Sequence, residues 1–144
     1  MANLPWPVRL GLRVADVEQK IAVMDRVVLV PDEATYLDEI ARWSTTVQWP
    51  VLIEDDRWTP LFIRAFRPAS VERRTDRAAP LPQDIPSRRK ALESAVARAW
   101  GGSAESTPAA AFARVGLVPA GVVITSTEDP AWTAAVALAA GRGQ

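Results

Sequence analysis

The chain of 144 residues has the size of one domain, and its 49% hydrophobic content predicts a folded core. It contains neither Cys nor His, which excludes disulfides, thiolate metal sites, Cys nucleophiles and the Ser–His–Asp triad. The 17 basic and 17 acidic side chains cancel, so the chain lacks the overall positive charge of a non-specific nucleic-acid or polybasic membrane binder.

No targeting or membrane-spanning segment is visible in the sequence. Its first residues lack a charged region followed by an apolar run, as a secretory signal would have. The most apolar stretch, residues 131–140, has about half of the roughly 20 residues needed to cross a bilayer. The sequence therefore predicts no membrane span, and a cytoplasmic location is the default expectation.

The N-terminal stretch is interpreted as a strand followed by a short helix. Residues 8–14 alternate apolar and other side chains, which is typical of a half-exposed strand. Prolines precede this stretch, as suits a strand at the edge of a sheet. Residues 16–24 place Val17, Ile21 and Met24 on one helical face.

Two continuous aliphatic runs, residues 27–30 and 50–53, predict strands that are buried on both faces. Between them, apolar side chains recur at helical spacing from Tyr36 to Trp43, which predicts a helix. Asp32 stands just before this helix, where a carboxylate commonly caps the first turn.

A further helix, a short strand and a loop follow. Thr59 and Pro60 predict an N-cap and the first helical residue. Residues 70–72 predict a third, short strand. Residues 75–86 are rich in Pro, Asp, Arg and Ala without apolar periodicity, so they predict a linker or surface loop.

The C-terminal part predicts three helices and one more strand. Residues 87–100 show an amphipathic stripe, and Thr107 begins a second helix. The aliphatic residues 122–124 predict another buried strand. Asp129 predicts the N-cap of a last helix, which is apolar almost all round through residue 140 and should therefore be buried.

The order of these elements indicates an internal repeat. The strand at 27–30 and its acidic turn match residues 122–125, which are followed by Glu128 and Asp129. Alternating strands and helices predict an α/β fold with a small, mainly parallel, Rossmann-like sheet flanked by helices and built from βα repeats.

The repeat also predicts how residues 1–144, a single α/β domain, are organised. Residues 8–74 would form the first βα unit and residues 75–86 the loop after it. Residues 87–144 would supply helices and the start of a second unit. That second unit stops before its next strand, so we expect the chain to be the N-terminal part of a longer protein.

A pattern of residue types between positions 27 and 71 has a counterpart in a known family. The positions concerned are Val27, Val28, Leu29, Val30, Ala34, Leu37, Ile40, Ala41, Trp49, Pro50, Val51, Leu52, Ile53, Thr59, Pro60 and Val71. This series resembles the tandem cell-wall-binding repeat (type 2) family. The resemblance implies a Rossmann-like module that runs strand, helix, proline-led strand, helix, strand, and that is non-catalytic.

Acidic residues at the ends of the predicted strands are the main chemical candidates. Glu54, Asp55 and Asp56 directly follow the second strand, and Asp32 and Asp129 lie in the corresponding turns. Ligands of parallel sheets bind beyond the carboxyl ends of the strands, and carboxylates are preferred Mg²⁺ ligands. The alternative, favoured because no His or Lys lies near these turns, is that all five cap helices and turns.

Two further polar clusters could bind a ligand, but each is interpreted more simply as surface residues without one. Residues 125–127 precede the last helix, where phosphate could bind, but no Gly permits close approach, and Glu128 and Asp129 would repel an anion. The basic residues from Arg73 to Lys90 could contact RNA or an acidic partner. Acids interspersed among them favour a solvated surface instead.

The six Trp side chains are expected either in the core or on a docking surface. Most are expected in the core, but Trp49 and Trp58 flank the second strand and could form an exposed docking patch.

The leading functional hypothesis is a non-catalytic structural or protein-interaction module without a cofactor. A protein partner or a second copy of the chain, as in a homodimer, would cover the apolar last helix. The alternative is a Mg²⁺-dependent enzyme or small-ligand-binding domain that uses the acidic edge of the sheet.

Overall fold

The computed structural model describes residues 4–18, 24–118 and 121–143. The helices and strands are, in chain order, α1 (Trp6–Glu18), β1 (Arg26–Val30), α2 (Glu33–Ile40), β2 (Val51–Ile53), α3 (Thr59–Phe66), β3 (Ser70–Arg73), α4 (Ile85–Ala99), α5 (Pro108–Arg114) and α6 (Trp132–Arg142).

The three strands form one parallel sheet in the order β2-β1-β3. In its register Val28 lies opposite Val51, and Val27 lies opposite Val71. The α/β class and the parallel pairing of the two aliphatic runs are therefore confirmed. The short third strand predicted at residues 70–72 is also present.

Helices cover both faces of the central strand. Val28 and Val30 of β1 pack in a core with residues of α2, α4, α5 and α6. Val27 and Leu29, which point to the opposite face, pack with Phe62 and Phe66 of α3. This double burial explains why β1 is a continuous aliphatic run without alternation.

The stretch predicted as a linker or loop joins β3 to α4. The Ala78 amide donates to the Thr35 hydroxyl of α2 at 3.1 Å. Asp84 caps α4 by accepting from the Ser87 amide at 2.8 Å, so this helix begins two residues before the predicted start. Because α4 shares a core with α2, this stretch is a surface loop on one core.

The strand predicted at residues 8–14 is wrong, because these residues lie within α1. The helix contacts α3 through small buried residues, Pro7 and Gly11, while Leu10 points to solvent. A Cβ on Gly11 would lie 2.9 Å from the Ala65 Cβ, so only Gly permits this approach. Of the helix predicted at 16–24, residues 16–18 end α1 and residues 19–23 lie outside the described residues.

Residues 122–124 form no strand in the part of the chain that the structure describes, so that prediction is wrong. They extend beside α4 and α6, with Val123 packed against the core and Val122 and Ile124 exposed. A turn closed from the Asp129 amide to the Ser126 carbonyl links the segment to α6. Because α6 packs on α2 and α4, the segment stays over these helices, and the predicted second repeat lacks its first strand.

Two predicted N-caps are also wrong. At α3 the cap position is Trp58, and the Thr59 hydroxyl accepts from the Asp55 amide at 3.0 Å instead. At α6 the cap position is Ala131, and the Asp129 carboxylate accepts from the Ala131 amide at 2.8 Å within the preceding turn.

Candidate functional site

Two of the three acidic residues after β2 have local partners. The Glu54 carboxylate accepts from the Arg73 Nε at 2.9 Å. Asp55 accepts from the Arg57 amide at 2.8 Å and so closes the turn before α3. Asp56 is exposed. These side chains therefore stabilise a turn and an ion pair.

The other two residues predicted as metal ligands, Asp32 and Asp129, lie in different structural settings. Asp32 follows β1, next to the end of β2, whereas Asp129 follows no strand. Across residues 4–18, 24–118 and 121–143, no group of three or more acidic side chains is arranged to hold a metal ion. The five predicted carboxylates thus do not form a metal-binding cluster in the described structure.

Asp32 is an N-cap of α2, as predicted. Its carboxylate accepts from the Thr35 amide at 2.9 Å and from the Thr35 hydroxyl at 2.7 Å. These bonds hold the pKa of Asp32 below its usual range, and Arg77 at 3.7 Å acts in the same direction. Asp32 is therefore an ionised cap with its acceptors in use.

A cleft of about 550 Å³ lies beyond the carboxyl end of β1. Its charged lining consists of Asp32 and Glu33 from α2 and its cap, with Arg77 and Arg88 from the loop and α4. Arg88 contacts Glu33 at 3.2 Å, and Arg77 contacts Asp32. The cleft occupies the position where parallel sheets bind ligands, but its charges are matched in pairs.

The basic residues from Arg73 to Lys90 form ion pairs. The pairs are Arg73–Glu54, Arg74–Glu39, Arg77–Asp32, Arg88–Glu33, Arg89–Glu93 and Lys90–Glu105. Apart from Arg74–Glu39, these pairs lie at the surface, where such pairs contribute little stability each. This arrangement agrees with the interpretation of the run as a charge-compensated surface.

One charged network is buried. Glu39 of α2 is 1% exposed and accepts from both Nε and Nη2 of Arg74 at 2.9 Å. It also accepts from the Trp49 indole at 3.1 Å. Arg74 reaches Glu72, and the Arg26 guanidinium lies 3.9 Å from the centre of the Trp49 ring.

This network is structural. Burial alone would raise the pKa of Glu39, but the hydrogen bonds and charge of Arg74 outweigh it and lower the pKa. The same contact raises the pKa of Arg74. An ionised carboxylate whose oxygens are filled by protein donors is not available to a substrate.

Of the two Trp residues considered for an exposed docking patch, Trp49 lies in the core, as the alternative interpretation predicted. Trp49 is buried in the Glu39 network, whereas Trp58 is half-exposed. The exposed neighbour of Trp58 is Trp6 of α1, at 6.1 Å between ring centres. The Arg57 guanidinium lies 4.2 Å from the centre of the Trp58 ring.

Residues 115–118 and 121–127, called here the apolar segment, are the most unusual surface feature of the described structure. Val118, Val122 and Ile124 are 86%, 84% and 91% exposed. The segment contains no charged side chain. No backbone group of residues 121–125 is hydrogen-bonded to another described residue's backbone.

An apolar groove of about 500 Å³ runs beside this segment. Its floor comes from α4 and α6, and its apolar lining includes Leu92, Val96, Val123, Val136 and Ala139. On α6 the prediction of burial is partly correct: Trp132 is buried and Leu138 is 43% exposed.

Sequence reasoning missed the buried pair of Glu39 with Arg74 and the contact of Trp6 with Trp58. The signal for Glu39 was its place within the apolar stripe from Tyr36 to Trp43, since an acid on a core-facing stripe requires a buried partner. No comparable signal marked Trp6, because its position became informative only when α1 packed on α3.

Comparison with protein-family models, with curated proteins and with solved structures finds no match to this chain. Among the described helices, none is long and apolar enough to cross a membrane.

Proposed function

We propose that this protein is a non-catalytic protein-interaction module that self-associates through its apolar segment. The observation that carries the proposal is the exposure of Val118, Val122 and Ile124, each more than four-fifths accessible. Contiguous exposed apolar surface of this kind marks interaction sites in soluble proteins.

Backbone geometry supports pairing by strand addition. Residues 121–125 lie beside α4 and α6, belong to neither a helix nor a strand, and have no backbone partner among the described residues. A segment with free amides and carbonyls is a template for another strand. Two copies related by a two-fold axis would pair antiparallel and satisfy each other's backbone groups.

Charge favours a second copy as the occupant. Because residues 115–127 carry no charge, two such segments approach without repulsion, and a highly charged partner gains nothing there. The apolar groove beside the segment offers a place for Ile124 of the second copy. The surface that is bound and the surface that binds it are then the same patch on the two copies, as two-fold symmetry requires.

Sedimentation equilibrium across a concentration series tests this proposal. The native chain should dimerise, and Val122→Lys and Ile124→Lys should be monomeric, because each places a charge in the paired segment. The matched control is Val47→Lys, which alters an exposed Val outside the segment and should leave dimerisation unchanged. Circular dichroism verifies that each variant is folded.

A native chain that stays monomeric throughout the series would contradict self-association. Equal loss of dimer in Val47→Lys and Ile124→Lys would contradict the assignment to the apolar segment.

We also propose a second candidate, a small-ligand-binding domain, on the basis of the cleft beyond the carboxyl end of β1. Its volume of about 550 Å³ lies within the range of ligand pockets. A ligand that binds the folded state raises the melting temperature by mass action. Thermal-shift titration with Mg²⁺ and with nucleotides should show such a rise if this candidate is correct, and Asp32→Asn should abolish it.

A further inference from the structure

The α4 side of the apolar groove carries one pair of opposite charges within an apolar stripe. The residues of α4 that line the groove are Ile85, Arg89, Leu92, Glu93 and Val96. Their spacing places them on one face of the helix. Arg89 and Glu93 stand one helical turn apart and alternate with the three apolar residues. Among the described residues that line the groove, these two alone carry a charge.

This charged pair contributes little to the stability of the single chain. Arg89 donates from Nε to the Glu93 carboxylate at 2.8 Å, but the two side chains are 74% and 42% exposed. Exposed pairs of this kind are weak. A helix also favours an acid that precedes its basic partner by four residues, and here the order is reversed. The two side chains can therefore exchange partners at little cost.

The charge pattern of this face is complementary to itself. A two-fold axis that brings two grooves together sets one residue against another and, equally, the second against the first. Arg89 of one copy can then face Glu93 of the second copy at both of the symmetric contacts. A partner with charges of one sign would meet a like charge for every opposite charge. The pattern therefore favours a second copy of the chain as the occupant.

We propose that Arg89 and Glu93 exchange their intrahelical bond for two intermolecular ion pairs when the chain self-associates. The inference rests on the proposed function, because it concerns the same groove. Apolar contacts of Ile85, Leu92 and Val96 provide attraction with little direction. Charges beside an apolar stripe determine partner and orientation, as at the edges of coiled coils. Arg89 and Glu93 are therefore the specificity-determining residues of this interface.

Charge reversal tests this inference. Arg89→Glu makes both symmetric contacts entirely acidic, and Glu93→Arg makes both entirely basic. Each variant alone should dimerise about tenfold more weakly than the native chain, because each of the two contacts contributes about threefold. Sedimentation equilibrium measures the dissociation constants.

Mixing the two variants distinguishes an intermolecular pair from an intrahelical one. In a mixed dimer, both acidic side chains of Arg89→Glu face basic side chains of Glu93→Arg. The dissociation constant of the mixed dimer should therefore return close to the native value. Fluorescence-detected sedimentation measures it, with one variant labelled at its N-terminus. Each chain keeps its own like-charged helix face in the mixture, so a purely intrahelical role predicts no recovery.

Lys90→Glu is the matched control for Arg89→Glu. Lys90 lies on the same helix and, like Arg89, has a side chain that is 74% exposed. It stands 3.9 Å from Glu105 and is not among the described residues that line the groove. This reversal should leave the dissociation constant unchanged. Circular dichroism verifies that each variant is folded.

The outcomes separate this inference from the proposed function. A dimeric native chain whose mixed variants fail to recover would overturn the exchange of ion pairs and leave self-association intact. Dimerisation of Arg89→Glu at native strength would do the same. Equal weakening by Lys90→Glu and Arg89→Glu would overturn the assignment to the pair that faces the groove. A native chain that is monomeric throughout the concentration series would overturn both proposals.

Discussion

At the scale of single residues, Glu39 shows how the core accommodates charge. Its carboxylate is buried, yet it joins α2 to Trp49, two residues before β2, and to Arg74, directly after β3. A buried ion pair contributes little over an apolar replacement, but removal of one partner leaves the other charge uncompensated. The network therefore makes the arrangement of these three elements specific.

Glu39→Ala should destabilise the protein by about 2–4 kcal/mol. This range begins below the cost of breaking a fully buried pair, because Arg74 is partly exposed. The matched control is Asp38→Ala on the same helix. Asp38 pairs with Arg42 at the surface, so its loss should cost less than about 1 kcal/mol. Urea unfolding measures both values, and similar losses would show that the buried network is not a major contributor.

The pKa shifts predict the pH range of maximum stability. The pKa values of Asp32, Glu39 and Asp84 are lowered in the folded state. Their contribution to the free energy of unfolding is therefore present above their usual pKa values of 3.8–4.5. It is lost as pH falls through the folded-state pKa values. Burial raises the pKa of Tyr36 above 10.0, so its contribution is lost as pH rises beyond that value. With no His in the chain, the melting temperature should be nearly constant between about pH 5 and 9.

Melting curves from pH 2 to 11 measure this profile. Asp32→Asn should make the acid limb shallower, whereas Asp56→Asn, an exposed control, should leave it unchanged. A steep change near pH 6.5 would contradict this pH profile.

At the scale of elements, the sequence predicts the strands and helices whose apolar pattern is matched by a packing partner nearby in the chain. The strands at β1, β2 and β3 and the helix α2 are of this kind. The run at 122–124 has the same composition as β1 but no strand beside it, and hydropathy cannot reveal a missing neighbour.

The helix α1 was not predictable for a different reason. Its contact with α3 uses Pro7 and Gly11, which carry almost no signal in an apolar periodicity. The candidate site was predictable only in part. Asp32 could be placed as a cap, but the pairing of Trp58 with Trp6 depends on how α1 packs.

Gly11→Ala should destabilise the protein by about 1–3 kcal/mol, because the new methyl group would overlap Ala65 and the Phe62 carbonyl. The control is Gly141→Ala in α6, where a Cβ would make its closest contact at 3.4 Å with the Gln48 side chain. That variant should be neutral or more stable by up to about 1 kcal/mol, since Ala favours helix over Gly. Chemical unfolding compares them, and equal effects would contradict the close α1–α3 contact.

At the scale of the whole molecule, different helices cover the two sides of the sheet. Helix α3 packs on the side of Val27 and Leu29, and the apolar segment lies over the α4–α6 side of Val28 and Val30. A dimer formed through the apolar segment would therefore leave the α3 side of each copy accessible.

Hydrogen exchange distinguishes strand pairing from simple side-chain association. In a strand-paired dimer, amides of residues 121–126 donate to the second copy, so their exchange should slow as protein concentration rises. When about 90% of the chains are dimeric, exchange through the monomer should be about tenfold slower than in dilute protein. Amides of α2, which are bonded within one chain, serve as the control and should be independent of concentration. Ile124→Lys should remove the concentration dependence. If the native chain dimerises while these amides exchange at an unchanged rate, the copies associate through side chains in the α4–α6 groove, and the strand-pairing geometry is wrong.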